Sequence, residues 1–278
     1  MPQSIHRAIM AAAMLTSALP LSLAAQRTAI SSDADWLSSC RKDWGDDRGR
    51  ACEVRNVPVR PAGRSLRVDG RQNGSIRVQG SDGDAVSMTA RLQANGESDA
   101  EAESLLKQVR VTVDGQTVRA EGPSESFGHR TNWSVSYVLS VPRRFDLSLD
   151  ANNGSLGVAG VTGKLDLRTT NGSVALSDVG GDVHARTQNG SLSIELAGSS
   201  WDGTGLDAET QNGSVRLMVP ARYAAQLETG TVNGRINTDI PITVQGRITR
   251  QLSVPLNGGG KTVRAVTTNG SVRISERQ

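Results

Sequence analysis

The tripeptide Asn-Gly-Ser begins at Asn73, Asn153, Asn171, Asn189, Asn212 and Asn269, with a variant at Asn233-Gly234-Arg235. From Asn153 the steps are 18, 18, 23 and 21 residues, then 36, which reads as two further steps of 18. Self-similarity at about 20 residues marks a stacked repeat architecture. Small or apolar residues stand four and two positions before each Asn, as in Leu167/Thr169, Ala185/Thr187, Ala208/Thr210 and Ala265/Thr267. Apolar pairs return three and five positions after it, as in Val174/Leu176, Leu192/Ile194, Val215/Leu217 and Val272/Ile274. Alternation with period two is the pattern of a strand with one buried face. The charged residues between them, among them Asp166, Arg168, His184 and Arg186, face water.

Each unit therefore reads as strand, Asn-Gly turn, strand, then a second turn such as Gly180-Gly181. Gly is expected to supply a positive φ and Asn to tolerate it. An all-β fold follows, with two arrangements open. In an antiparallel β-meander, Asn-Gly is the ordinary hairpin signal. In a β-solenoid, Asn153, Asn171, Asn189, Asn212, Asn233 and Asn269 stack as an amide ladder. Near-identity of Thr-x-Asn-Gly-Ser at one corner favours stacking, which would bring the Asn171 and Asn189 Cα atoms to ~4.8 Å, against ~9–10 Å in a meander.

Residues 1–25 read as a secretory signal peptide: His6 and Arg7, an apolar run from Ala8 to Leu23, and the small-x-small site Ser22-Leu23-Ala24. No later stretch approaches the ~20 apolar residues of a membrane span. The expected compartment is outside the cytoplasm, either periplasm or cell surface. There the isolated pair Cys40 and Cys52 is most simply a disulfide. Removing Arg7 with the leader lowers the 31 Lys+Arg to 30 against 28 Asp+Glu, a balance of +2. Aromatics are 3% of residues and no basic block occurs, which argues against nucleic acid as a partner.

Four segments follow: the leader 1–25; an irregular, disulfide-stapled entry segment 26–60; an N-terminal β-rich capping region 61–142; and the repeats, 143–278. The capping region carries the one helix signal, near 99–109. There Ser98 and Glu101 have capping-box spacing, and Ala102, Leu105, Leu106 and Val109 recur at helical intervals.

Chemistry-bearing patterns are sparse. His184 lies between inward-facing Val183 and Ala185 and so points to solvent; His129 stands in a polar loop without a second His or Cys nearby. No Gly-x-Ser-x-Gly elbow and no zinc spacing occur. The acidic turns Asp43/Asp46/Asp47 and Asp82-Gly83-Asp84 lack the spacing of a calcium loop. No cofactor signature is present.

The order of Cys52-Glu53-Val54-Arg55, Tyr137-Val138-Leu139-Ser140-Val141-Pro142, the repeated Thr-x-Asn-Gly-Ser-Val and Trp201-Asp202-Gly203-Thr204-Gly205-Leu206 resembles the DUF4097 family of adhesin-like exported bacterial proteins over residues 40–278. The resemblance implies a right-handed β-solenoid and no catalytic residues. The expected function is a non-enzymatic binding or scaffold module of the cell envelope, its ligand an envelope component, a polysaccharide or a protein. The alternative is a β-helix carbohydrate-active enzyme, for which Asp166 and Glu209 are the carboxylate candidates.

Overall fold

The computed structural model describes residues 31–42, 48–123, 131–241 and 250–277. The expected leader, His129 and the Asp43–Asp47 turn lie outside them. The described chain is mostly strand, arranged in two ten-stranded sheets with two helices. The first sheet runs β1 (Gly49–Val57), β4 (Ser87–Gly96), β7 (Asn132–Pro142), β3 (Ile76–Ser81), β9 (Leu156–Ala159), β11 (Val174–Ser177), β13 (Leu192–Glu195), β15 (Val215–Val219), β20 (Val272–Glu276), β17 (Ile236–Thr238). The second runs β18 (Gln251–Leu256), β16 (Ala225–Asn233), β19 (Thr262–Asn269), β14 (Gly203–Asn212), β12 (Gly180–Asn189), β10 (Thr162–Thr169), β8 (Asp146–Ala151), β2 (Ser65–Asp69), β6 (Thr117–Glu121), β5 (Arg110–Asp114).

Consecutive repeat units pair in parallel. Leu167 lies opposite Ala185, and Val174 opposite Leu192, one residue per residue. A meander would need antiparallel pairing here. The two sheets face each other across the apolar residues read from the sequence: Leu165, Leu167, Val174, Leu176, Val183, Ala185, Leu192 and Ile194 are all buried. Antiparallel pairing is found at the N-terminal end, in β1–β4–β7 and β5–β6, and at the outer strand β18.

At one corner the asparagine amides form a continuous chain. Asn153 donates to Asn73 (3.1 Å), Asn171 to Asn153, Asn189 to Asn171 and Asn212 to Asn189 (2.8 Å each). Asn269 then donates to Asn212, and Asn233 to Asn269 (2.7 Å each). Every amide points the same way, so each bond polarises the next. A second column backs the first. The hydroxyls of Thr169, Thr187, Thr210, Thr267 and Thr231 each donate to the glycine carbonyl one rung away, at 2.7–2.8 Å.

Two expectations about this corner need correction. The glycines are not there for a left-handed turn: Gly154, Gly172, Gly190 and Gly213 have no positive φ. They are required because the rungs touch. A Cβ on any of the four would lie 2.0 Å from the glycine carbonyl oxygen below it. Close backbone approach is the other use of glycine. The 36-residue interval is not two rungs in series either. Asn233 and Asn269 are direct neighbours, because β19 enters between β14 and β16, and β20 between β15 and β17.

The N-terminal part also departs from expectation. The entry segment, read as irregular, holds a helix α1 (Asp33–Arg41) and strand β1. Ser32 caps α1 by accepting from the Asp35 N–H at 3.0 Å. Buried Arg91 of β4 holds it down, paired to Asp33 at 2.8 Å with its guanidinium 5.8 Å from the Trp36 ring centre. Cys40 and Cys52 are bonded, joining the end of α1 to β1 with Cα atoms 6.3 Å apart. Helix α2 (Asp99–Gln108) has the expected cap: Ser98 accepts from Glu101 N–H, and the Glu101 carboxylate reaches back to Glu97 N–H at 2.7 Å. Ala102, Leu105 and Leu106 are its buried face. No described helix is long and apolar enough to cross a membrane.

Candidate binding face

Because parallel strands in register repeat side chains directly above one another, the outward residues of the second sheet fall into rows. One row reads Arg67, Ser148, Asp166, His184, Asp207, Arg264, Glu228. The next reads Asp69, Asp150, Arg168, Arg186, Glu209, Val266. Neighbours in a row are one strand spacing apart, ~4.8 Å, so opposite charges there attract and like charges repel.

Most of the charges find partners across or along the strands. Arg67 pairs with Asp150 at 2.9 Å and Arg168 with Asp166 at 2.8 Å. Asp207 is the hub: it binds Arg264 and lies 3.9 Å from His184 and 4.0 Å from Arg186. His184 also meets Asp182 of its own strand at 3.2 Å. These pairs are largely exposed, so each contributes ~0–1 kcal/mol. Their effect is to fix side-chain positions on a flat sheet.

Asp166 and Glu209 are not brought together. They occupy different rows and stand two strands apart, a separation of ~11–12 Å from strand spacing and rise. Both have closer ties: Asp166 to Arg168, and Glu209 to Arg264 at 3.9 Å. Among the described residues no group of three or more His, Cys, Asp or Glu is placed to hold a metal ion. In the acidic turn, Asp82 pairs with Arg143 at 2.6 Å and Asp84 lies 3.8 Å from Arg64.

The hub residues Asp207 and Arg264 are functional candidates that the sequence reading passed over. Counting back three and five positions from each ladder Asn gives both rows from Ser148 to Glu228, so the signal was in the repeat itself. The face also has relief. A trough of about 630 Å³ runs beside the Asn corner across β8, β10, β12, β14 and β19, and a second of about 740 Å³ adjoins it over β16 and β18. A cavity of about 780 Å³ lies beyond the Asn73 end of the ladder, lined in part by Trp133, whose indole donates to Pro123 O at 3.0 Å.

The parallel units with their Asn corner coincide with a known family. The profile of Toastrack DUF4097 matches residues 143–275. Residues 143–275 are a DUF4097 region. Within it Trp201, from the Trp-Asp-Gly-Thr-Gly-Leu motif, is buried and donates to Gly181 O at 3.0 Å, closing the corner opposite the ladder. Among solved structures the chain is similar to a putative cell adhesion protein from Clostridium sporogenes ATCC 15579, with 11% identity and a TM-score of 0.47 over 82% of this chain and 100% of that one. It is also similar to a putative adhesin from Bacteroides fragilis NCTC 9343, with 12% identity and a TM-score of 0.37 over 82% and 97%. A third is a putative lipid binding protein from Parabacteroides distasonis ATCC 8503, with 12% identity and a TM-score of 0.32 over the same shares. Likeness at this level carries no argument about ligand. No curated protein matches the chain.

Proposed function

We propose that this protein is a non-enzymatic binding or scaffold module of the cell envelope, whose repeats form a right-handed β-solenoid presenting the outer face of the second sheet to a partner. The observation that carries this reading is the pair of largely charged rows, one running from Arg67 on β2 to Glu228 on β16 and the other from Asp69 on β2 to Glu209 on β14. Asp150, Asp166 and Asp207 are tied to arginines, and the carboxylates of the rows do not converge on a common point. Reactive sites need convergence, with carboxyl groups ~5–9 Å apart for glycoside cleavage; recognition surfaces need extent and fixed positions. Right-handed crossovers between parallel strands support the handedness. Export to the periplasm or cell surface is supported by the leader-like residues 1–25 and the Cys40–Cys52 bond.

The test is cosedimentation of the exported protein with isolated envelope fractions, alongside turnover assays on a panel of polysaccharides and chromogenic esters. Retention with at least one fraction, weakened by Asp207→Lys, and no turnover are expected. Turnover that vanishes in Asp166→Ala or Glu209→Ala, or no retention in any fraction, would overturn the proposal.

A further inference from the structure

The residue immediately before each ladder Asn forms a row of its own: Gln72, Asn152, Thr170, Gln188, Gln211, Thr268 and Val232. Asn152 donates to Gln72 at 2.6 Å. The Thr170 and Thr268 hydroxyls and the Gln188 and Gln211 amides have no hydrogen-bond partner among the described residues, and all four line the 630 Å³ trough. On the trough's flank Arg168 and Arg186 sit directly opposite each other on adjacent strands. Like charges so placed repel. Arg168 has Asp166 at 2.8 Å, but among the described residues Arg186 has only Asp207 at 4.0 Å, and Asp207 is already bound to Arg264.

We infer that this trough seats an extended glycan bearing spaced carboxylates, lying along the stack axis and across the strands, with one carboxylate between Arg168 and Arg186. The inference rests on the binding-face reading and names its ligand class. Amide and hydroxyl side chains both donate and accept, which matches sugar hydroxyls, groups that do the same. Four of them, repeated over four strands at ~4.8 Å, fit a polymer better than a single small anion. The trough has no aromatic lining, so recognition is by polar edges and not by ring stacking. An added peptide strand would need the free backbone edge of a sheet, and this trough crosses the middle of one. Asp150 and Glu209 stand one strand beyond the arginine pair on either side. A polymer with a carboxylate on every sugar would bring more of them against Asp69, Asp150 and Glu209 than one with a carboxylate on alternate sugars.

The test is calorimetric titration of the full exported chain with four probes: oligosaccharides alternating glucuronate and N-acetylglucosamine, polygalacturonate, neutral dextran and poly-glutamate. The alternating oligosaccharide should bind best, with affinity falling as salt rises. Arg168→Gln/Arg186→Gln should weaken it at least about tenfold, the scale of losing charge-assisted hydrogen bonds. Gln188→Ala/Gln211→Ala should weaken it severalfold while leaving the salt dependence unchanged. Arg216→Gln, on the outer face of the first sheet, should bind as the parent does. Thermal melts of each variant check folding. No binding of the alternating oligosaccharide, undiminished binding by the double-arginine variant, or equal binding of poly-glutamate would each overturn the inference. Failure here with retained envelope cosedimentation would leave the binding-face proposal standing; failure of both would remove it.

Discussion

Replacing Gly190 tests whether rung contact, and not turn geometry, dictates glycine at the Asn corner. A Cβ there would sit 2.0 Å from Gly172 O, and real Cβ contacts stay beyond 3.0 Å, so the rungs would have to part by 3.0 − 2.0 = 1.0 Å. Three hydrogen bonds cross that gap beside the site: Asn189 N–H to Thr170 O at 2.7 Å, the Asn189 amide to Asn171 at 2.8 Å, and the Thr187 hydroxyl to Gly172 O at 2.7 Å. Adding 1.0 Å takes each beyond hydrogen-bonding range. At about 1 kcal/mol each the loss is about 3 kcal/mol, or a fall of about 6–12 °C in Tm for a chain of this size. Gly190→Asn should be as harmful as Gly190→Ala, because the Cβ is what collides. Gly115 is the control, with φ of 57° and nothing within 4 Å; there Ala costs ~1–2 kcal/mol and Asn, which tolerates left-handed backbone, costs less. The assay is thermal unfolding of the four single variants by circular dichroism. If Gly190→Asn melts within about 2 °C of the parent, or recovers stability relative to Ala as Gly115→Asn does, the corner is an ordinary turn and the contact argument fails.

Asn189→Ala removes two ladder bonds and Asn233→Ala one; chemical denaturation should show about 1–2 kcal/mol for the first and about half that for the second, and equal losses would argue against the ladder. Reduction of Cys40–Cys52 should release two alkylatable thiols and cost ~3 kcal/mol, read by intact mass and denaturant midpoint; free thiols in the native protein would contradict the pairing. Both tyrosines are buried, and burial holds Tyr137 well above the ordinary phenol range and pushes Tyr223 up to about 12. With folded values above the unfolded ~10, their contribution to stability is complete below pH 10 and is lost as pH rises from 10 through 12. Near-ultraviolet tyrosinate absorbance should therefore rise together with unfolding, and a titration finishing near pH 10 in folded protein would refute this. Tyr137→Phe should be neutral or stabilising, because the Tyr137 hydroxyl is buried without a hydrogen-bond partner among the described residues.

What the sequence revealed and what it hid divide along the line between period and neighbourhood. The Asn interval and the Thr-x-Asn-Gly-Ser identity disclosed the stacked corner, because side chains that repeat up an axis must repeat in the chain. The same interval could not say which rungs touch, and it misassigned the gap between Asn233 and Asn269. Adjacency of distant segments leaves no local trace. Helix α1 escaped notice because its stability is tertiary: Arg91, 50 or more residues away, clasps Asp33 and Trp36. The charge alternation on the second sheet was visible strand by strand. Pairing of Arg264 with Asp207 became legible only with the register that places β19 beside β14.

The placement of β19 and β20 has a consequence for how this array comes apart. In a simple linear array the last unit made is the last in the row, and the end can fray one unit at a time. Here residues 262–276 enter between the rung of β14 and β15 and the rung of β16 and β17. The outermost rung at this end cannot seat until the chain behind it has threaded into the slot, so the C-terminal residues work as a keystone. Peeling them away would open a gap in the interior, leave β17 without a strand neighbour and leave β16 paired with β18 alone, which binds the fate of the final three rungs into one cooperative event.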